Sequence, residues 1–366
     1  MSHYAATHLL SSLPGIPLGR MLALLRVHGR RISPAYLPRI AFHLAAGTAV
    51  SALALLERLV WGAPPALPAS NEPVFVLGHW RSGTTFLHRL LAADPSFAAP
   101  TQFEATLPQC FRITESWLKP AVQRALPKTR GYDEVALDLD AAWEDETALF
   151  SMTLQSPMLA SLFPRDGERH AALLALQNLS ERERLAWARA LRGFLARIAA
   201  GSGNRPLLKS PPHTARVKML AELYPSARFI HIHRHPYAVY ASTLRMMEVF
   251  GDQVQLQRPR DGDIDAIVVS HYKAMHLAYF EQRDVLAPDR LFEVGYDEFV
   301  ADPLGQLERA YRRLALGDFE RVRPEVQRHL ASVAGHRASG TPALAPALQQ
   351  RLRREWHLSF DRWGYA

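Results

Sequence analysis

Hydrophobic residues along the chain form long stretches with helical spacing and short apolar runs that are typical of strands. Leucine-rich faces recur with a helical period up to about residue 70, and residues 101–200 have a mainly helical pattern interrupted by prolines. Strand-like runs occur at residues 74–77, 206–209, 227–233 and 290–294. Because these runs alternate with helical patterns, the sequence predicts an α/β fold in which helices cover both faces of a parallel sheet.

The order of these patterns also suggests domain boundaries. We expect a helical extension over residues 1–70, which ends in the proline-rich stretch Gly62–Pro68, and a main domain over residues 71–366. Within the main domain, residues 101–200 are interpreted as a helical insertion after the first strand and its helix. We expect this insertion to build a ligand pocket.

A long apolar stretch, residues 40–56, lies in the N-terminal extension. It contains His43, Thr48 and Ser51 and is slightly short for a bilayer span, although several arginines flank it. An alanine-rich segment inserts weakly into a bilayer. We therefore expect either a buried helix or a helix on a membrane surface, with peripheral membrane contact through residues 40–61 in the second case.

The charge balance favours an anionic partner, because the formal net charge is +8. Between residues 181 and 197, however, arginines are interspersed with glutamates, and no basic tail is formed. A nucleic acid is therefore not the expected partner. A small polyanionic ligand accounts for the excess of basic residues.

Cysteine content and the N-terminus bear on the compartment. Cys110 is the only cysteine, so an intramolecular disulfide is impossible and a zinc site of four thiolates is excluded. Residues 1–7 contain no lysine or arginine, and no apolar segment with a small-residue cleavage site follows them. We expect a cytoplasmic protein, either free or peripheral at the inner membrane.

The candidate chemistry begins at the end of the first strand run, in the segment Gly78–Thr85 (GHWRSGTT). A strand that turns sharply into a helix presents unpaired N–H groups and the positive end of the helix dipole, which suits a phosphate. Gly78 and Gly83 have the spacing of the ATP-binding P-loop, but Thr84 occupies the lysine position. Arg81 therefore suits a different phosphate arrangement from that of a triphosphate. The alternative is an ordinary glycine turn.

A second anion site is expected after the run at residues 227–233. Arg234 follows this run, and Ser242 lies eight residues later in the next helical pattern. An arginine at a strand end and a hydroxyl two turns into the following helix can converge on one phosphate. The sequence therefore predicts two anion sites on neighbouring strands.

Together these segments resemble the sulfotransferases that use 3′-phosphoadenosine 5′-phosphosulfate (PAPS). Residues 81–85 (RSGTT) look like the 5′-phosphosulfate loop of that family, and residues 234–242 (RHPYAVYAS) look like its 3′-phosphate motif. Tyrosylprotein sulfotransferases are similar because they share R-S-G-T-T and a lysine before a proline-containing turn, here Lys209. The whole chain is similar to a broad bacterial group of sulfotransferases, with E-D-E at residues 144–146 and W-G-Y at 363–365.

The resemblance implies a P-loop-like sheet and a role for each matching residue. Backbone N–H groups of residues 82–86 and three loop hydroxyls would hold the 5′-phosphate, while Arg81 and Lys209 would neutralise the leaving oxygen. Tyr296 would either contact the nucleotide or pack beside it. The implied cofactor-binding residues are Arg81, Ser82, Gly83, Thr84, Thr85, Phe86, Arg234, Ser242 and Tyr296.

An acceptor must lose a proton during transfer, which requires a general base. Related enzymes have a glutamate a little over twenty residues beyond the loop arginine. An ungapped match falls on Gln102, and a shift of two residues reaches Glu104, our candidate base. The triplet Glu144–Glu146 and His213 are alternatives, and the triplet is equally consistent with a charge cluster at a helix N-terminus.

Three alternating histidines, His231, His233 and His235, lie at the end of one strand run. Residues i and i+2 of a strand point to the same face, so two imidazoles could share a zinc ion. No third ligand is identifiable in the sequence. We therefore expect a packed or hydrogen-bonded histidine pair, and the predicted chemistry requires no metal.

The sequence thus predicts a PAPS-dependent sulfotransferase that acts on a hydroxyl or amine of a small-molecule, lipid or glycan acceptor. One alternative is a P-loop nucleotide kinase, which Thr84 disfavours. Another is a non-catalytic polyanion-binding protein associated with membranes. The basic glycine-rich loop of cytosolic sulfotransferases is not found, and His336–Gly340 is a candidate replacement. The sequence does not specify an oligomeric state.

Overall fold

A computed structural model describes residues 15–64, 71–126, 137–200, 203–332 and 343–366 of the chain. These residues form two compact units. The sheet unit consists of the described residues within Leu67–Ala99, Gly201–Leu244 and Val268–Ala366. The helical unit consists of those within Met1–Ala66, Pro100–Ala200 and Arg245–Ile267. Part of the predicted linker Gly62–Pro68 and the whole of His336–Gly340 lie outside the described residues.

The sheet unit is built on five parallel strands in the order β2-β3-β1-β4-β5. The strands are β1 (Val74–Leu77), β2 (Phe97–Ala98), β3 (Arg205–Lys209), β4 (Arg228–His233) and β5 (Leu291–Gly295). This confirms the predicted parallel sheet. The chain leaves β1 on one side for β2 and β3 and later adds β4 on the other side, so the carboxyl end of β1 is a topological switch point.

Helices make up most of the remaining described chain. In chain order they are α1 (Leu18–His28), α2 (Leu37–Trp61), α3 (Thr84–Leu91), α4 (Gln102–Thr106), α5 (Phe111–Ala125), α6 (Asp145–Thr153), α7 (Leu159–Leu162), α8 (Glu181–Ala199), α9 (Val217–Leu223), α10 (Pro236–Val254), α11 (Asp263–Gln282), α12 (Tyr296–Ala301), α13 (Pro303–Leu314), α14 (Phe319–Ser332), α15 (Pro346–Glu355) and α16 (His357–Trp363). Short 3₁₀ helices occupy Gly29–Arg31, Pro34–Tyr36, Pro164–Leu173, Pro211–Ala215 and Arg283–Val285.

Strand β1 shows why the sheet unit could be recognised from its apolar runs. All four of its residues are fully buried. Val74 and Val76 belong to a core shared with α3, α13 and α14, while Phe75 on the other face contacts the rings of His213 and Phe229. Both faces of the strand are covered, so the sequence shows a continuous apolar run rather than an alternating one.

In the helical unit, α1 packs against α2, and Met21, Ile40 and Phe163 belong to one apolar core. Only six of the 25 residues of α2 are buried, so a buried helix at residues 40–56 was the wrong alternative. The buried positions include Arg39, whose guanidinium donates to the Gln255 carbonyl oxygen over 2.6 Å. The anchoring side of α2 is therefore partly polar.

Two element boundaries shape the region that follows the strands. Gly295 ends β5, and α12 begins at Tyr296 without an intervening turn. After β3, the two prolines of Pro211–Ala215 lie in a 3₁₀ helix, and α9 begins at Val217. Both boundaries lie at carboxyl ends of strands, where the candidate site is found.

Candidate functional site

The loop between β1 and α3 adopts a backbone that requires its glycines. Gly78 has φ = 137°, and a Cβ there would lie 2.3 Å from the carbonyl oxygen of Ile232. Gly83 has φ = 100°, and a Cβ there would lie 2.5 Å from the ring of Tyr296. Arg81 also has a positive φ, 67°, which is uncommon for a residue with a side chain. The loop is therefore tightly wound against β4 and the start of α12.

Hydrogen bonds fix the first half of this loop. The N–H of Gly78 donates to the Thr214 hydroxyl over 2.7 Å, and the Ser82 hydroxyl donates to the His79 carbonyl oxygen over 2.7 Å. The N–H of Ser82 also donates to that carbonyl, over 3.2 Å. Ser82 therefore has loop-shaping contacts in addition to the phosphate contact that the sequence predicts for it.

The second half of the loop has open donors. Within the described part of the chain, the backbone N–H groups of residues 83–86 donate no hydrogen bond. They lie at the N-terminus of α3, where the first turn of a helix leaves its N–H groups unpaired and the helix dipole is positive. Four adjacent donors of this kind form an anion-binding cradle.

Cationic side chains from neighbouring strand ends lie beside this cradle. Lys209, the last residue of β3, places Nζ 3.5 Å from the Thr85 hydroxyl oxygen. Arg81 donates from Nε to the Ser242 hydroxyl over 2.8 Å. Arg234, next after β4, donates from Nη1 to the Arg81 carbonyl oxygen over 3.3 Å. The structure thus brings together the residues predicted for two anion sites.

Tyr296 connects the loop to Arg234. Its ring fills the space beside Gly83, and the Arg234 guanidinium lies over the same ring, 4.2 Å from the centroid. Burial lowers the pKa of Arg234, while Tyr296 and Asp297 act in the opposite direction. Arginine stays protonated in proteins, so the site holds a partly buried cation that a phosphate would compensate.

Comparison with known proteins shows the family of the chain. Residues 73–320 match the sequence pattern of the Sulfotransferase family. This range includes the β1–α3 loop, Lys209, Arg234 and Ser242. The chain belongs to the sulfotransferase family. It is an enzyme of sulfuryl transfer, as the sequence predicted.

Curated relatives support the assignment over most of the chain. The chain is 35% identical over 318 residues to omega-hydroxy-beta-dihydromenaquinone-9 sulfotransferase Stf3 of Mycobacterium bovis, covering 86% of this chain and 81% of the relative. The protein of the same name in Mycobacterium tuberculosis gives the same values. The similarity therefore extends well beyond the β1–α3 loop.

Solved structures show the same fold. Sulfotransferase STF9 from Mycobacterium avium matches with a TM-score of 0.70 at 18% identity, covering 99% of this chain and 95% of that one. Sulfotransferase STF1 from Mycobacterium tuberculosis matches with a TM-score of 0.63 at 18% identity, covering 93% and 91%. The fold shared with STF9 therefore extends over nearly the whole chain.

The end of the chain packs against His233, the last residue of β4 and the neighbour of Arg234, a contact that sequence reasoning missed. The Tyr365 hydroxyl lies 2.7 Å from Nδ1 of His233, and the Trp363 ring stacks on that imidazole with centroids 4.5 Å apart. Burial lowers the pKa of His233 to about 4, so its ring is neutral at pH 7. The W-G-Y signal was visible in the sequence, but its neighbour in space was not.

Histidines 231 and 233 form the packed pair that the sequence predicted. Their rings stack with centroids 6.1 Å apart, and His231 also stacks on Tyr279 at 4.1 Å. Burial lowers the pKa of His231 well below its usual value. Over residues 15–64, 71–126, 137–200, 203–332 and 343–366, no group of three or more His, Cys, Asp or Glu could hold a metal.

The candidate bases have different surroundings. The Glu104 carboxylate accepts a hydrogen bond from the Thr101 N–H over 2.7 Å, and the Thr101 hydroxyl accepts one from the Glu104 N–H in return. Burial raises the pKa of Glu104. Asp145 and Glu146 lie in the first turn of α6, as the charge-cluster alternative predicted. His213 lies in the turn after β3, with its ring edge-on to Phe75 at 5.4 Å. Sequence reasoning missed Thr214, whose hydroxyl accepts a hydrogen bond from Gly78 of the β1–α3 loop.

Proposed function

We propose that this sulfotransferase takes its sulfuryl group from PAPS. The observation that carries the proposal is the cluster of Arg81, Lys209 and Arg234 around the open N–H groups of residues 83–86. The cradle suits the 5′-phosphate, and Arg234 with Ser242 suits the 3′-phosphate. Such a pair of anion sites fits a nucleotide that carries phosphate groups at the 3′ and 5′ positions of its ribose.

The protein's part in the transfer is mainly electrostatic. The acceptor atom attacks sulfur while the bond from sulfur to the phosphate oxygen breaks, so negative charge grows on that oxygen. Arg81 and Lys209 are the cations proposed to neutralise it, each contributing about 3 kcal/mol of transition-state stabilisation. Adenosine 3′,5′-bisphosphate leaves, and the acceptor proton passes to a base.

Glu104 is the proposed base. Burial raises its pKa, which brings a carboxylate closer to the proton affinity that a general base needs near neutral pH. Replacing Glu104 with Gln preserves the size of the side chain, and we expect kcat to fall about 100-fold or more. A rate within a few-fold of wild type would exclude Glu104, and the same assay on His213→Asn would then test the alternative.

The acceptor is proposed to be the hydroxyl of an apolar molecule, with a lipid ahead of a glycan, a small molecule or an amine. Stf3 is named for a hydroxylated menaquinone, and it is 35% identical to this chain. We propose that residues 101–200 build the acceptor pocket. A cytoplasmic enzyme with peripheral contact through residues 40–61 would meet such an acceptor at the inner membrane.

Nucleotide binding tests the proposal directly. By isothermal titration calorimetry we expect adenosine 3′,5′-bisphosphate to bind at micromolar concentration and ATP with Mg²⁺ not to bind. The opposite result would contradict the proposal. Arg81→Ala and Lys209→Ala should each lower kcat far more than nucleotide affinity, because both cations are proposed to act on the leaving oxygen in the transition state.

A further inference from the structure

The exposed surface of α2 is mainly apolar. Outward positions of a helix in a soluble protein are normally charged or polar. From residue 41 to the end of α2, the exposed residues are Ala41, Phe42, Ala45, Thr48, Ala49, Ala52, Leu55, Leu56, Arg58, Leu59, Val60 and Trp61. We call these residues the α2 face. Thr48 supplies the one hydroxyl among them, and Arg58 supplies the one charge.

The most exposed part of this face is also its most apolar part. Leu55 is 60% exposed, Leu59 74% and Val60 59%. The face continues from Phe42 to Trp61, roughly 28 Å along the helix at 1.5 Å per residue. Contiguous exposed apolar surface of this extent marks an interaction site.

The opposite side of α2 holds it to its own unit through charged groups. Arg39 donates to the Gln255 carbonyl oxygen over 2.6 Å, and Glu57 pairs with Arg197 over 3.2 Å. The segment Pro34–Trp61 is long and apolar enough to cross a membrane. A span would have to expose these charges to hydrocarbon, which is costly. A helix that lies along a surface keeps both sets of contacts.

Charge around the α2 face indicates what that surface is. Residues 15–56 contain five arginines and no aspartate or glutamate. Arg20 and Arg26 of α1 are exposed, as are Leu22 and Val27 of the same helix. At the end of α2, the Arg112 guanidinium lies over the Trp61 ring, 5.2 Å from its centroid. Apolar side chains with interfacial tryptophan and arginine are typical of helices that bind anionic bilayers.

We propose that the α2 face docks on an anionic lipid bilayer, with Leu55, Leu59 and Val60 entering the acyl boundary and the exposed Arg20, Arg26 and Arg58 contacting lipid phosphates. This inference rests on the proposed function in one respect, since a lipid acceptor would be supplied from that bilayer. Docking itself needs only the face and its charges.

Vesicle co-sedimentation of the full chain tests the proposal. We expect binding to vesicles of phosphatidylcholine with phosphatidylglycerol, weaker binding to phosphatidylcholine alone, and loss of the difference at high salt. Leu59→Glu should weaken binding to the anionic vesicles about tenfold or more, because a carboxylate would enter an apolar and anionic interface. Leu277→Glu is the matched control, since Leu277 is also an exposed helical leucine, 43% exposed on α11.

Three results would overturn docking: no binding of the wild type to anionic vesicles, equal binding of Leu59→Glu, or equal losses in both variants. Sedimentation velocity adds a fourth, because a wild-type dimer that Leu59→Glu converts to monomer would show that a second copy covers the face. Calorimetry with adenosine 3′,5′-bisphosphate keeps the two proposals separate. Leu59→Glu should bind this nucleotide like wild type, which also shows that the variant is folded.

Discussion

At the scale of single residues, Gly83 couples backbone shape to the anion cradle. It lies in left-handed backbone, and its missing side chain makes room for the Tyr296 ring. Gly83→Ala should cost about 1–3 kcal/mol of stability through strain and displace the loop. We expect thermal unfolding at lower temperature and a loss of adenosine 3′,5′-bisphosphate binding by calorimetry. Unchanged nucleotide affinity would show that the ring of Tyr296 does not hold the loop in shape.

The positions of the β1–α3 loop residues were predictable because they depend on local sequence. Arg81, Thr85 and the glycines follow one strand, and a strand–turn–helix unit places their backbone at one point. The positions of Lys209 and Arg234 beside this loop were also predictable, because parallel strands end at one edge of a sheet. The position of Tyr365 was not predictable, since its contact with His233 joins residues 132 positions apart. No local spacing encodes such a contact.

At the scale of elements, four of the five strands were predicted to within about two residues, because burial on both faces leaves a continuous apolar run. Strand β2 has only two residues and gives no such run.

Helix α2 shows what local sequence does not predict about an element. Alanine and leucine predict a helix there, but which side is covered depends on its neighbours, and the exposed side proved to be the apolar one.

The contact between α1 and α2 gives a prediction at this scale. A Cβ on Gly47 of α2 would lie 2.8 Å from the Ile16 carbonyl oxygen and 3.1 Å from the Leu18 nitrogen. Gly47→Ala should therefore lower the thermal unfolding temperature, although alanine is intrinsically better than glycine in a helix by about 1 kcal/mol.

Gly193→Ala provides the matched control for this variant. Gly193 lies within α8, and a Cβ there would meet nothing within 4 Å. We expect that substitution to raise the unfolding temperature. If both variants were stabilised, the close approach of the two helices in the helical unit would be refuted.

At the scale of the whole molecule, buried neutral histidines should make the fold sensitive to mild acid. Burial lowers the pKa of His43, His79 and His233 to about 4 and that of His88 to about 3. Below pH 6.5 these histidines are protonated in the unfolded chain but stay neutral in the folded chain. Stability should therefore fall as pH decreases from about 6.5 towards 4, by up to about 1.4 kcal/mol per pH unit for each histidine.

Thermal unfolding at pH 7 and pH 5 checks this prediction. Most carboxylates remain ionised at pH 5, so the difference between the two values reports mainly on histidines. We expect a clearly lower unfolding temperature at pH 5, and His233→Asn should reduce the difference. Equal temperatures at the two pH values would mean that these imidazoles are protonated in the folded state.

The central claim is that Arg81 and Lys209 promote sulfuryl transfer from PAPS at the carboxyl end of the sheet. Its most direct measurement is the transfer of labelled sulfuryl groups from PAPS to lipid, glycan and small-molecule extracts. We expect a labelled product with wild type and with Lys218→Ala, which removes an exposed lysine. Lys209→Ala should lower kcat by roughly 100- to 1,000-fold. A Lys209→Ala enzyme within a few-fold of wild type, or no transfer to any acceptor, would contradict the claim.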